Sequence, residues 1–270
     1  MLKKRLIFTL LYNQGQFVLS RNFRLQKVGD INWLQKNYDF SKISFSIDEL
    51  IILDVSREDR DPDKFSNVLA TLSQGCFVPI AAGGGITCLE DARRLLRAGA
   101  DKVVFNSSLY EHTELVESVA REFGQQCVVA SVDAKRSVDS GWQVFSHNGS
   151  KVMVGSAQHW LTQVLELPIG EIYLNSMDRD GTGQGLDLEL LAELPPIVPK
   201  PVILAGGAGN ASHLAKGLSQ ERVDAVATAH LFNFIGDGLA KARQSVLDSG
   251  ITLAHWDMAL LPALKMGSAV

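Results

Sequence analysis

Eight short apolar runs of strand length alternate along this chain with amphipathic stretches of helical length. Each run is almost continuously apolar, which is typical of a parallel strand buried on both faces. Eight strand–helix units within about 250 residues are what a closed (βα)8 barrel requires. The sequence therefore predicts an α/β fold built as one (βα)8, or TIM, barrel. The predicted strands are RLIFTLL (5–11), ELIILDV (49–55), FVPIAA (77–82), DKVVFN (101–106), CVVASVD (127–133), GEIYLN (170–175), PVILA (201–205) and VDAVAT (223–228).

The chain also repeats itself at a constant spacing. ELIILDVSR, which begins at residue 49, resembles EIYLNSMDR at 171, a separation of 171 − 49 = 122 residues. VPIAAGGGIT at 78 matches KPVILAGGAGN from 200, and FNSSLY at 105 falls on ATAHLF at 227, both at the same separation. This repeat predicts two half-barrels, at about 1–122 and 123–250, followed by a C-terminal extension at 251–270. Because no Pro/Gly/Ser-rich linker separates the halves, we expect a single domain over 1–270.

Composition and charge narrow the class of protein. The 270 residues carry a net charge of −4 and 46% hydrophobic side chains, so we expect a substantial core and neither nucleic-acid nor membrane binding. The sequence shows no signal peptide and no apolar stretch of membrane-spanning length. Its three cysteines lack the spacing of metal ligands. We therefore expect a cytoplasmic protein with free thiols, no metal and no cofactor.

The repeat places an unusual pair at the barrel mouth. It aligns LIFTLLYNQ (6–14) with VVASVDAKR (128–136), so Leu11 is the counterpart of Asp133. Both residues are expected at the carboxyl ends of strands on opposite sides of the mouth, where barrel enzymes carry their catalytic groups. Two carboxylates there would suit acid and base roles, but only Asp133 is present. The alternative is that Asp133 caps a loop or pairs with Lys135 or Arg136.

Glycine turns follow the third and seventh predicted strands and precede helices. Without Cβ atoms, such turns let backbone N–H groups approach an anion beside a helix N-terminus. Small polar residues follow the adjacent strands, so two phosphate sites are predicted to face each other across the mouth. They would hold a ligand phosphorylated at both ends, or separate anions; alternatively, the glycines only form turns. The predicted phosphate-binding residues are Gly84, Gly85, Asn106, Ser107, Gly206, Gly207 and Thr228.

These residues resemble a known family over nearly the whole chain. The matching stretches are MLKKRLI, DELIILDV, GGGI, GADKVVFNSS, FGQQCVVASVDAKR, GEIYLNSMDRDGTGQG and ILAGGAG. They are similar to the cyclase subunit of imidazole glycerol phosphate synthase (HisF-like proteins). The resemblance implies a heterodimer with a HisH-like glutaminase, whose ammonia travels through the barrel to a ligand carrying two phosphates. It places the family's two catalytic aspartates at Leu11 and Asp133 and its substrate-loop lysine at Leu19, so we do not expect the cyclase reaction.

The resemblance also implies a role for the opposite end of the barrel. Arg5, Glu49, Lys102 and Glu171 begin four of the strands and match the family's salt-bridged ring, which admits ammonia from the glutaminase. The alternative is a purely structural cluster of ion pairs, the usual role of charges on that face. The chain thus keeps the four ring residues but has Leu11 in place of a catalytic aspartate. This combination indicates a relative that transfers ammonia without the cyclase reaction.

Paralogues of this kind occur among bacterial surface-polysaccharide genes as WbuZ-type glycosyl-amidation proteins. LL at 10–11, LNSMDRDG and VFSHNGS are more similar to that group than to the histidine enzymes. The resemblance implies ammonia delivery for amidation of a nucleotide-linked sugar, in company with a sugar amidotransferase. Alternatives are a true cyclase whose missing acid is supplied by Asp54 or Asp180, a non-catalytic scaffold for the glutaminase, and an isomerase-type relative. Asp54, Ser176 and Asp180 are candidate substrate-site residues.

Overall fold

The computed structural model describes residues 3–139 and 141–254, and its centre is a closed barrel of parallel strands. The barrel order is β1-β4-β5-β6-β7-β10-β11-β12, with β12 pairing back onto β1. The predicted α/β (βα)8 barrel is therefore confirmed. The strands are β1 Arg5–Asn13, β2 Gln16–Arg21, β3 Arg24–Gly29, β4 Glu49–Asp54, β5 Ile80–Gly83, β6 Lys102–Phe105, β7 Val128–Ser137, β8 Gly141–Ser146, β9 Lys151–Val152, β10 Glu171–Ser176, β11 Val202–Ala205 and β12 Ala225–Thr228.

Helices surround the barrel and connect its strands. Several begin at side-chain caps, as in α3, where the Asp61 carboxylate accepts from the Lys64 N–H and Pro62 is the first helical residue. Between β10 and β11 the described chain forms only a 3-10 helix, Leu188–Glu193. The α-helices are α1 Ile31–Asn37, α2 Phe40–Ile43, α3 Pro62–Ser73, α4 Leu89–Arg97, α5 Ser108–Glu111, α6 Thr113–Phe123, α7 Ala157–Glu166, α8 Ala211–Leu218 and α9 Gly238–Asp248.

The barrel strands bury both of their faces, which explains their continuous apolar sequences. The outward face packs against the helices, as Leu6, Phe8 and Leu10 of β1 do. The inward face forms a second core inside the lumen, in which isoleucine, valine and tyrosine side chains pack with alanines. Its members are Ile7, Ile51, Ala81, Val104, Val129, Tyr173, Ile203, Ala205, Ala225 and Ala227.

Two β-hairpins extend from the mouth, one from each half, and the sequence analysis did not predict them. β2 and β3 continue from β1, and β8 and β9 continue from β7. The first turn, at Gln14 and Gly15, has positive φ at both residues (51° and 89°), as does the second at Asn22 and Phe23 (50° and 63°). Turns of this kind match the twist of paired strands, and Gly and Asn favour them.

The first hairpin reaches across the mouth to the loop after β10. The Asp180 carboxylate accepts hydrogen bonds from the Ser20 hydroxyl at 2.5 Å and the Phe23 N–H at 2.9 Å. The Asn22 N–H donates to the Asp180 carbonyl at 3.0 Å. Since Asp180 belongs to the opposite half-barrel, these contacts hold the hairpin over the mouth.

Residues that follow α9 pack beside the start of β1 at the N-terminal end of the barrel. Leu253 forms a β-bridge with Lys4 and is buried. The remainder of the predicted C-terminal extension, 255–270, lies outside the described residues. None of the helices in the described part of the chain has the length and apolar character needed to cross a lipid bilayer.

Candidate functional site

The mouth of the barrel encloses a cavity of about 660 Å³ beneath the first hairpin. Small-molecule sites in proteins range from about 300 to 1,000 Å³. Residues predicted from both half-barrels line this one space, so the structure brings together groups that are far apart in sequence. Among the predicted site residues, those that line it are Asp54, Gly84, Gly85, Asn106, Ser107, Asp133, Asp180, Gly206 and Gly207, together with Leu11 and Leu19.

Asp133 lies at the end of β7 and is held by two side-chain amides. Asn175 donates to Oδ1 at 2.8 Å and Asn106 donates to Oδ2 at 3.1 Å. The hydrogen bonds therefore come from amides rather than from Lys135 or Arg136. Burial raises the pKa of Asp133 to about 7, and the Asp180 charge adds to the effect, although the two amide hydrogen bonds oppose it. A carboxyl with a pKa near neutrality can both donate and accept a proton at physiological pH.

Part of the opposite side of the mouth is an apolar wall of leucines. Leu11 pairs with Leu53 across β1 and β4, and both side chains line the cavity with Leu19 and Leu25 of the hairpin. Leu11 is only 9% exposed. A carboxylate at this position would therefore be largely removed from water and would need a cation or hydrogen-bond donors to stabilise its charge. The wall facing Asp133 therefore supplies no acid or base of its own.

Neither Asp54 nor Asp180 is a free replacement for the missing acid. The Asp54 carboxylate accepts from Arg60 Nε at 3.1 Å and from the Ser56 N–H at 3.0 Å. Asp180 is occupied in holding the hairpin, and burial raises its pKa. Ser176 is fully buried, donates to Asp187 at 3.2 Å and does not line the cavity. Of the three candidate substrate-site residues, Ser176 therefore lies away from the cavity.

The glycine turns are required by the fold itself. A Cβ on Gly84 would lie 2.1 Å from the Asp54 carbonyl oxygen, and one on Gly206 would lie 2.5 Å from the equivalent carbonyl of Ser176. Both glycines also have positive φ, 112° and 91°. Any side chain there would displace backbone, so changes of charge beside the turns test anion binding better than changes of the glycines.

The small polar residues beside the glycine turns differ in their availability. Asn106 is committed to Asp133, and the Ser107 hydroxyl accepts from the His147 N–H at 3.0 Å. Thr228 is buried, donates to the Ala208 carbonyl at 2.8 Å and does not line the cavity. The Thr228 hydroxyl thus closes the adjacent turn, and its role as a phosphate ligand stays a prediction.

The charged residues at the opposite end form a closed ring of four ion pairs. Arg5 contacts Glu49 at 2.8 Å and also Glu171, and Lys102 contacts Glu49 at 3.0 Å and also Glu171. Positive and negative groups thus alternate around the barrel axis. The two carboxylates are nearly buried, whereas the Arg5 and Lys102 side chains are 25% and 18% exposed.

Comparison with known proteins agrees with this geometry. The family described as "Histidine biosynthesis protein" matches residues 13–236. The chain belongs to this family. A relative from Parasynechococcus marenigrum (strain WH8102), named provisionally as imidazole glycerol phosphate synthase subunit hisF2, is 49% identical over 260 residues, which cover 96% of each chain. The predicted relationship to HisF-like cyclase subunits is confirmed, and the closer relationship to the glycosyl-amidation paralogues stays a prediction.

The structure shows three site residues that the sequence analysis did not predict. Arg57 and Arg60 line the cavity after β4, and Asn175 orients Asp133 from β10. The arginines stand in SREDR (56–60), directly after a predicted strand, which was a usable signal. Asn175 carried none, since an amide at the end of a strand is uninformative until its neighbour is known.

Asp133 should make the stability of the protein depend on pH. Its pKa is about 7 in the folded state against an ordinary 3.8, so between these values the folded protein binds more protons than the unfolded chain. The free energy of unfolding should therefore fall by roughly 4 kcal/mol as pH rises through that window. Urea denaturation at several pH values across the window should show that the free energy of unfolding of Asp133→Asn depends much less on pH. Asp139→Asn, an exposed control on the same hairpin, should keep the full pH dependence, and a dependence unchanged in both variants would contradict the raised pKa.

Proposed function

We propose that this barrel is the ammonia-receiving subunit of a glutamine amidotransferase complex, paired with a HisH-like glutaminase as a heterodimer. The observation that carries the proposal is the closed ring of Arg5, Glu49, Lys102 and Glu171 at the end opposite the cavity. The gate position is complete, whereas the cavity retains one of the two family carboxylates. The complete ring supports a retained role in ammonia transfer, whereas the single carboxylate supports a change in the chemistry at the cavity.

The ring has the physical properties of a gate for a neutral molecule. Two cations and two carboxylates neutralise one another, so the end of the barrel carries no net field that would concentrate ammonium ions. Beyond the ring, the lumen is lined by side chains such as Ile7, Val129 and Ile203. An ion would be strongly destabilised there, but ammonia is small and uncharged. The arrangement therefore supports passage of ammonia towards Asp133.

The face around the ring also carries exposed apolar side chains that a partner would cover. Phe77 is 52% exposed and Ile197 is 82% exposed. Both lie in loops that lead into the N-terminal ends of β5 and β11. The buried centre of a subunit interface is enriched in aromatic and other apolar side chains, and exposed apolar residues on this face could form such a centre. These residues support docking of the glutaminase on this face.

For the acceptor, we propose a nucleotide-linked sugar whose acetamido or carboxyl group becomes an amidine or amide, in concert with a sugar amidotransferase. Support comes from Leu11 and Leu19, which stand where cyclase chemistry needs an aspartate and a lysine. Asp133 would supply or remove the proton as ammonia adds to the acceptor carbonyl. A true cyclase is the second candidate, favoured by the name given to the marine relative. A scaffold role would leave Asp133 without a task in chemistry.

Substitutions in the ring test the relay. We expect Glu49→Ala or Lys102→Ala to leave the fold intact but to release glutaminase ammonia before it reaches the acceptor. The measurement supplies the complex with glutamine labelled in its amide nitrogen together with unlabelled ammonium, and follows label in the amidated product per glutamate formed. The label should be diluted severalfold in the ring variants. Lys200→Ala, a half-buried cation before β11 that is not part of the ring, serves as the control.

Two outcomes separate the proposal from its rivals. Undiluted label in variants of all four ring residues would mean that the ring is structural. Full product formation by Asp133→Asn, with label still dependent on the ring, would support the scaffold role instead of a chemical one.

A further inference from the structure

The two half-barrels contribute very different chemistry to the cavity. Among the described lining residues, all four leucines and both arginines come from residues 1–122. The second half contributes no leucine, lysine or arginine to the described lining, but supplies Asp133, Asn175, Asp180, glycines, alanines and small polar groups. The repeat alone predicted two equivalent anion sites. The structure instead shows a cavity in which one side holds both lining arginines and the leucines (the cationic side), although the Asp54 and Glu111 carboxylates also line it. The other side holds Asp133 and Asp180 and no lysine or arginine among the described lining residues.

The cationic side lies beside the first glycine turn. Arg60 is anchored by Asp54 at 3.1 Å and by the Ser56 carbonyl at 2.6 Å, through Nε and Nη2. Its third nitrogen, Nη1, has no hydrogen-bond partner in the described part of the chain. Nη1 lies against the Gly85 backbone, only 2.2 Å from the position that a Cβ of residue 85 would take. Arg57 lines the same region, and its Nη2 donates to the Phe23 carbonyl at 2.8 Å. An anion at Gly84-Gly85 would therefore meet guanidinium donors as well as backbone N–H groups.

The second glycine turn lacks such donors. In the described lining, its surroundings are Gly181, Gly183, Ala208, Ala229 and His230. Burial lowers the pKa of His230, so its imidazole is neutral near pH 7. Arg179 starts beside this turn, since a Cβ on Gly207 would lie 2.9 Å from its Cβ, but its side chain does not line the cavity and its guanidinium faces Asp187 at 3.8 Å. The charged residue that lines the cavity from the loop after β10 is Asp180, which would repel an anion. A second phosphate would lose its hydration there without gaining a counter-charge.

The apolar wall lies on the same side as the arginines. Leu11 and Leu53 are paired on adjacent strands, and Leu19 and Leu25 cover them from the hairpin. A methyl or methylene group placed against this wall would leave water, which tightens binding by roughly fourfold for each fully buried carbon.

We propose that the cavity binds a ligand with a phosphate or diphosphate group at one end only. That group lies at Gly84-Gly85 with Arg57 and Arg60, an apolar substituent packs on Leu11, Leu19, Leu25 and Leu53, and an uncharged end extends towards Gly206-Gly207. A phosphorylated sugar with an acetamido methyl group has this chemistry. The inference rests on the proposed function only in identifying this ligand with the ammonia acceptor; binding itself is tested on the barrel alone.

Titration calorimetry with three probes tests the proposal. The probes are N-acetylglucosamine 1-phosphate, glucose 1-phosphate and glucose 1,6-bisphosphate. We expect the acetylated monophosphate to bind roughly threefold to fivefold tighter than glucose 1-phosphate, because of the buried methyl group. The bisphosphate should bind no tighter than glucose 1-phosphate. Tenfold tighter binding of the bisphosphate, or no binding of any probe at millimolar concentration, would overturn the proposal.

Two substitutions make the test specific. Arg57→Gln should lower the affinity for the acetylated monophosphate by about tenfold, because a charged donor is lost. Arg24→Gln, at an exposed position of β3, should leave that affinity unchanged. Leu19→Lys should weaken the acetylated probe and tighten the bisphosphate, while Gln26→Lys, with the same added charge at an exposed position outside the lining, should change neither. Equal affinities in Arg57→Gln and the unaltered protein would overturn the cationic site. Failure of the ammonia relay with these affinities intact would leave the ligand assignment standing.

Discussion

The unaltered protein is expected to convert the cyclase substrate of the histidine pathway with ammonium salts at least about 10²-fold more slowly than a cyclase with both carboxylates. Loss of one positioned acid or base typically costs about 10² to 10⁴ in rate. The structure adds a reason why no neighbour compensates. Asp54 is paired with Arg60, and Asp180 holds the hairpin. The measurement is turnover of that substrate by the purified barrel in excess ammonium.

Restoring the carboxylate should recover part of this activity. Leu11→Asp places an acid opposite Asp133 in the same cavity, and Leu19→Lys supplies a cation on the hairpin that also lines it. The double variant should exceed the single one, because a lone carboxylate among leucines would be held partly protonated. Leu11→Asn is the matched control, with the same shape and no charge. Turnover near that of a cyclase by the unaltered protein would overturn the assignment.

The largest expected effect on stability is at a buried ion pair outside the cavity. Arg243 of α9 donates to both oxygens of Asp48 at 2.9 Å, and both side chains are 5–6% exposed. Asp48 also accepts the Leu6 N–H at 2.7 Å, which joins the pair to the start of β1. Arg243→Ala should lower the free energy of unfolding by about 3 to 5 kcal/mol, since it leaves a buried carboxylate uncompensated.

Urea denaturation measures this loss, and helix α9 supplies its own control. Lys241→Ala removes an exposed cation paired with Asp237, and its effect should stay within about 0.5 kcal/mol. Arg243→Lys should lie between the two variants, because an ammonium retains the charge without the bidentate geometry. A loss under about 1 kcal/mol in Arg243→Ala would show that water reaches Asp48 and replaces the guanidinium.

The positions of all eight barrel strands followed from the sequence because buried parallel strands must be apolar on both faces. The largest discrepancy at the start of a strand is at the third strand, predicted from Phe77 but beginning at Ile80. Pro79 precedes it and has no N–H to donate, although its carbonyl accepts from Leu50 at 3.0 Å. The two hairpins were missed because their strands are short and partly polar, and their alternation carries little periodic signal.

The site was predicted in part for the same reason. Residue type and repeat position placed Leu11, Asp133, the two glycine turns and the four ring charges at the correct ends of their strands. They could not show that Thr228 and Ser176 donate to protein acceptors, or that Arg60 neutralises Asp54. Such commitments depend on distances of a few ångströms between side chains, and a sequence specifies the groups without specifying those distances.

The sequence by itself determined the barrel, because the apolar pattern of buried parallel strands is local. Its internal repeat predicted two related halves and the presence of only one carboxylate, Asp133, at two equivalent positions. Only the tertiary structure decided that the halves differ in charge and polarity at the cavity. The hairpin that supplies Leu19 and Leu25 is held across the mouth by Asp180, 160 residues from Ser20 in the chain. Contacts between groups so distant in sequence arise when the barrel closes and brings the ends of all its strands to one rim.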